Sequence, residues 1–97
     1  MDNPTNPEAF YNNLKEKLYD TSIWPSEYLY KFIIKSDPTK IKIIDGIFDN
    51  MGAVIKTKPS KNGNYTSISI NVVMKNPDAV IEKYKEVGSL VEGVISL

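Results

Sequence analysis

Cysteine, histidine and arginine are all missing from these 97 residues, and each absence closes off a chemistry. Without cysteine there is no disulfide, thiol nucleophile or zinc-thiolate site, so stability has to come from packing. Without histidine the chain lacks the side chain best suited to proton transfer and metal binding near neutral pH. Without arginine it lacks the planar fork that grips carboxylate, phosphate or guanine with two hydrogen bonds, although lysine can still act as a point charge. No apolar run approaches the ~20 residues of a membrane helix. The opening MDNPTNPEAF is polar where a secretion signal would be basic and then apolar, so a cytoplasmic setting is expected.

What is present is ordinary for a globular domain: 41% hydrophobic and 25% charged residues, enough apolar side chains for one core. Twelve lysines balance twelve acids, so net charge supplies no long-range attraction to nucleic acid or membrane.

Three proline signals punctuate the chain. Pro7 behind Asn6, with Glu8 at the positive end of the helix dipole, predicts a helix over 7–19 whose Phe10, Leu14 and Leu18 share a face. Asp37 before Pro38 starts a second helix carrying Ile41, Ile44, Phe48 and Met51, with Gly52 as its stop. Asn76 before Pro77 starts a third over 77–87, with Val80, Ile81, Tyr84 and Val87 on one face and Gly88 as its end. Trp24, beside Pro25 in the break after the first helix, reads as a packing anchor.

Between these lie strand patterns. Tyr28, Tyr30, Phe32 and Ile34 alternate with Leu29, Lys31, Ile33 and Lys35. Ala53 to Asn71 reads as a hairpin turning at Asn62-Gly63, the favoured pair for a type I′ turn. Setting Lys61 opposite Asn64 pairs Lys58 with Ser67, Lys56 with Ser69, Ile55 with Ile70 and Thr57 with Ile68. A slip of one residue would mix the polar and apolar sets. Val91 to Leu97 is β-branched and reads as a final strand.

After the leading helix the order is strand, helix, strand, strand, helix, strand. Right-handed crossovers then give an α+β ferredoxin-like βαββαβ sandwich: a four-stranded antiparallel sheet with two helices on one face and an additional N-terminal helix. One domain over 1–97 is expected, with 1–24 as an extension and 25–97 as the core.

The helix-free face is expected to carry Leu29, Lys31 and Ile33 from the first strand, and Lys56, Lys58, Ser67, Ser69 and Asn71 from the hairpin. Glu92, Val94 and Ser96 would join them from the last strand, with the N-terminal helix or a second subunit over the apolar half. RNA recognition would need exposed aromatics on the central strands, and there only Tyr65 faces outward. Serines without histidine or a clearly placed lysine base lack activation, and no glycine-rich loop opens a helix. Asp45 and Asp49, four apart on the second helix, read as a solvated face rather than half a metal site. The tract KPSKNGNY at 58–65 reads as a turn, not a phosphate loop.

The tract PSKNGNYTSISINVV, the closing YKEVGSLVEGVISL and the strand YLYKFII at 28–34 resemble the YbeD-like family of uncharacterised small bacterial proteins. The resemblance implies a ferredoxin-like fold similar to ACT-type regulatory domains, which bind small effectors and pair through their sheets. It implies no established activity. Effector sites of that type use a glycine-bearing turn after the first strand, and here that turn, Lys35 to Pro38, has no glycine. The expected function is a non-enzymatic regulatory module for a small effector, with Lys31, Ile33, Lys35, Asp37, Lys56, Lys58, Ser67, Ser69 and Asn71 as candidate contacts. Protein binding through the open face or a sheet edge is the alternative, and RNA binding ranks behind both. A homodimer is compatible with either, and no cofactor or metal is implied.

Overall fold

Alternation in two long segments sets the architecture. In the computed structural model, which describes residues 7–97, β1 (Ser26–Lys35) and β3 (Tyr65–Met74) pair antiparallel over their whole length, from Ser26 opposite Met74 to Lys35 opposite Tyr65. β2 (Val54–Pro59) flanks β3, and β4 (Ile95–Ser96) flanks β1, giving the order β2-β3-β1-β4. With α2 (Pro38–Ile47) and α3 (Pro77–Leu90) as the crossovers, this is the expected ferredoxin-like arrangement. The additional helix is α1 (Pro7–Thr21), and its expected cap, Asn6, lies outside the described residues.

One face of the sheet is the core. Tyr30, Phe32 and Ile34 from β1 and Ile68, Ile70 and Val72 from β3 are buried against Ile44 and Phe48 and against Val80, Tyr84 and Val87 of α3. Burying each such side chain stabilises the fold by about 1.5–3 kcal/mol relative to leaving it exposed. The aromatic contacts centre on two rings, that of Tyr30 and, on α3, that of Tyr84. The Tyr84 ring meets those of Tyr28, Tyr30 and Phe32, its hydroxyl bonds the Tyr28 hydroxyl at 2.8 Å, and Tyr11 of α1 stacks on it.

The first helix does not cover the open face of the sheet, which removes one of the two covers expected for the apolar half and leaves a second subunit as the other. It packs on the helical side against α3, through Tyr11 and through Lys15 and Tyr19, which both reach Asp78. The Tyr19 hydroxyl donates to that carboxylate at 2.8 Å and, with Lys15, holds the Asp78 carboxyl below its ordinary range. Trp24 ties down the end of α1, its indole N–H donating to the Leu18 carbonyl at 3.1 Å.

Four local expectations are corrected. First, α2 ends at Ile47 rather than running to Gly52, because Asp49 and Asn50 divert the chain. Asn50 adopts a left-handed φ of 62° and its N–H is bound by the Asp49 carboxylate. Second, α3 continues through Gly88 to Leu90, with the Val91 N–H closing on the Val87 carbonyl. Third, the last strand therefore shrinks to Ile95–Ser96, and Gly93, at φ 75°, turns the chain into it.

Fourth, the hairpin turn is not type I′. Only Gly63 is left-handed there, the Gly63 N–H donates to the Ser60 carbonyl, and the Asn62 carboxamide oxygen accepts from Ser60 Oγ and the Asn64 N–H. The register is the expected one, with Lys58 opposite Ser67 and Lys56 opposite Ser69. Side-chain alternation selects the register whichever turn closes it.

Asn76 caps α3 by accepting from the Ala79 N–H at 2.8 Å, so Asn76→Ala is expected to lower unfolding free energy by about 1 kcal/mol in urea titration. Burial, reinforced by the neighbouring phenols, pushes Tyr30 and Tyr84 well above the ordinary tyrosine value of 10. A raised pKa gives a contribution that is intact below pH ~10 and lost as pH rises beyond it, because the unfolded chain releases those protons first. Urea midpoints should therefore hold between about pH 7 and 9 and fall above about 10, less steeply in Tyr84→Phe. An equal slope in wild type and variant would show that the buried phenol is not the cause.

Candidate functional site

The open face of the sheet collects most of the candidate residues. Along β1 the outward positions are Glu27, Leu29, Lys31, Ile33 and Lys35; along β3 they are Tyr65, Ser67, Ser69, Asn71 and Val73, each opposite its partner. From β2 come Val54, Lys56 and Lys58. Of the nine candidates, eight share this face: Lys31, Ile33, Lys35, Lys56, Lys58, Ser67, Ser69 and Asn71. Asp37 does not. It is the N-cap of α2, with its carboxylate accepting from the Thr39 N–H at 2.9 Å, and that duty turns it away from the sheet.

The last strand contributes the opposite set from the one expected. Ile95 lies across from Ile33, and Leu97, whose N–H donates to the Lys31 carbonyl at 2.9 Å, continues the alternation. Val94 packs against the core instead, and Ser96 lies across from the buried Phe32. With the strand beginning only at Ile95, just past the turn at Gly93, its phase is set by pairing to β1 and not by the β-branched run from Val91.

The face is more apolar in consequence. Leu29, Val54, Tyr65, Val73, Ile95 and Leu97 all lie on it and are 44–65% exposed. Val54 and Val73 escaped sequence reasoning as site residues, although the hairpin register, which sets Val54 opposite Asn71, turns Val54 outward. Leu29, Val54, Lys56, Ser69 and Asn71 frame a shallow cleft of about 220 Å³. Two larger clefts lie at the ends of the sheet. One of about 470 Å³ is formed where Lys35 and Ser36 meet Gly63 to Tyr65, and one of about 600 Å³ is walled by Met51, Val73, Met74 and the first turns of α3.

Chemically the face offers lysine ammonium groups, serine hydroxyls, the Tyr65 phenol, one carboxamide and one carboxylate, that of Glu27. Ser67 Oγ donates to the Lys58 carbonyl at 3.3 Å. Asp45 and Asp49 project from the helical side, and among the described residues no three His, Cys, Asp or Glu side chains gather as a metal would require. Such a surface can attract anionic groups and bury aliphatic ones.

Comparison with known proteins reaches the same level of detail. The family described as Protein of unknown function (DUF493) matches residues 21–94. A UPF0250 protein of Vibrio parahaemolyticus serotype O3:K6 is 30% identical over 81 residues, spanning 80% of this chain and 88% of its own length. No solved structure matches. These matches support the resemblance to an uncharacterised family of small bacterial proteins, whereas similarity to ACT-type domains is not part of what they show. Among the described residues no helix is long and apolar enough to cross a membrane.

The four lysines of the face stand away from the core, so Lys31→Glu and Lys56→Glu should each change unfolding free energy by less than about 0.5 kcal/mol in urea titration. A loss several times larger would assign these lysines to stability and remove them from the site.

Proposed function

The chain belongs to the DUF493 family of proteins of unknown function, and from that premise we propose that it is a non-enzymatic, cytoplasmic interaction module whose open sheet face docks a protein partner. The observation that carries this reading is the concentration of exposed aliphatic side chains on a face that α1 leaves bare. Such contiguous exposure, rimmed by polar residues, is characteristic of surfaces that associate. Neither the family nor the fold indicates an enzyme.

Effector sensing is the second reading, favoured by the cleft between Lys35–Ser36 and Gly63–Tyr65, on the turn where ACT-type domains hold their ligands. Against it, the polar groups of that turn are engaged with one another. The Ser36 N–H donates to the Asn64 carbonyl at 3.0 Å, and the Ser36 and Thr66 hydroxyls bond at 2.8 Å.

Immobilised wild-type protein is expected to retain a partner from bacterial lysate that Leu29→Asp and Ile33→Asp release, with both variants keeping a dispersed amide NMR spectrum. Retention by both variants would move the docking site off this face. Saturable amide shifts confined to Lys35, Ser36 and Asn64 on adding pooled metabolites would replace the reading with effector sensing.

A further inference from the structure

We propose that the occupant of the open face is an acidic, amphipathic protein segment, an inference that rests on the docking role assigned above. The chain is neutral overall, but its charges are segregated. Lys31, Lys35, Lys56 and Lys58 all lie on the open face, where Glu27 is the one acid among the described positions of its three longer strands. The helices carry lysines and acids together, and three of their six lysines are paired: Lys15 with Asp78, Lys83 with Glu86 and Lys85 with Glu8. Among the described residues none of the four face lysines has an ion pair, so their charge is available to a ligand.

Their placement has a pattern. Lys56, Ser69 and Lys31 form one row across the strands, and Lys58, Ser67, Ile33 and Ile95 form the next. Adjacent rows are about 7 Å apart and neighbouring strands about 4.8 Å, which sets Lys56 about 7 Å from Lys58 and about 10 Å from Lys31, with Lys31 and Lys58 about 12 Å apart, distances comparable to the screening length at physiological salt. Leu29 and Val54 border this cationic band along the row before Lys31 and Lys56, and Ile33 and Ile95 border it at the end of the Lys58 row. A ligand that matches both features carries carboxylates over the band and aliphatic side chains over its borders.

Two other occupants fit less well. A second copy docked face to face would set four lysines against four. Nucleic acid would find the cations, but only Tyr65 to stack on, and aliphatic borders that its sugars and phosphates do not satisfy.

The test is amide NMR of the whole chain titrated with three probes: a peptide of about twelve residues repeating Leu-Leu-Glu-Glu, which when extended mixes leucine and glutamate on each face, its Leu-Leu-Lys-Lys counterpart and a poly(U) oligonucleotide. The acidic peptide should shift amides on β1, β2 and β3, weaken at least tenfold between about 50 and 500 mM NaCl, and weaken at least tenfold in Lys31→Glu/Lys56→Glu. Equal binding of the basic peptide at the same amides would overturn the charge preference and leave the docking role of the face standing. Tighter binding of poly(U) would overturn the proposal in favour of nucleic acid. Shifts on the face that depend only on protein concentration would overturn it in favour of a second copy. Silence of the face toward every probe would overturn it outright, and retention of a partner that Leu29→Asp releases would then show that the docking role survives without it.

Discussion

The pairing of β1 with β3 is the constraint on which the rest of the structure depends. Ten consecutive residues of each strand face one another, from Ser26 and Met74 to Lys35 and Tyr65. Because side chains alternate, this single register sends Tyr30, Phe32, Ile68 and Ile70 to the helices and Lys31, Ile33, Ser67 and Ser69 to the open side. A slip by one residue on either strand would set apolar side chains opposite lysines and serines. The core and the candidate site are thus two sides of one ladder, and neither can be rearranged without the other.

What the helices add is coverage of one side only. α3 brings Tyr84 into the ring cluster of β1, and Tyr30 on the strand returns a hydroxyl to the Val80 carbonyl at 3.0 Å, so strand and helix are held by packing and by a buried hydrogen bond. α1 then adds to α3 rather than to the sheet, because its available partners, the Tyr84 ring and the Asp78 carboxylate, lie there. The same choice leaves the aliphatic residues of the open face without an intramolecular cover. Acids accumulate on the helices beside their lysines, while the strand lysines of the open face share it with one acid, Glu27, and a neutral chain acquires a cationic face.

Much of this was legible in the residues. Cap-and-proline pairs at Asp37-Pro38 and Asn76-Pro77 marked two helix starts that the structure reproduces, each with the capping side chain bonded to a first-turn N–H. The hairpin register followed from matching polar with polar across Lys56–Ser69 and Lys58–Ser67, and it survived an incorrect turn type. Helix ends were less legible. Gly88 looked like a stop, yet a glycine within a helix costs only about 1 kcal/mol, which the burial of Val87 and Val91 on either side offsets. Gly52 looked like the end of α2, but Asp49 and Asn50 could turn the chain first through local hydrogen bonds.

The sequence by itself determined the class of the fold, the register of the central strands and the chemistries that are closed to the protein, because alternation, capping and the absence of a residue type are local facts. Tertiary structure alone decided where α1 lies, and hence that the sheet face is open, because its docking is settled by partners 59 and more residues away such as Asp78 and Tyr84. It also decided that Ile95 and Leu97, not Val94, complete that face. A strand of two residues is too short to carry its own periodicity, so its phase is set by the neighbour with which it pairs.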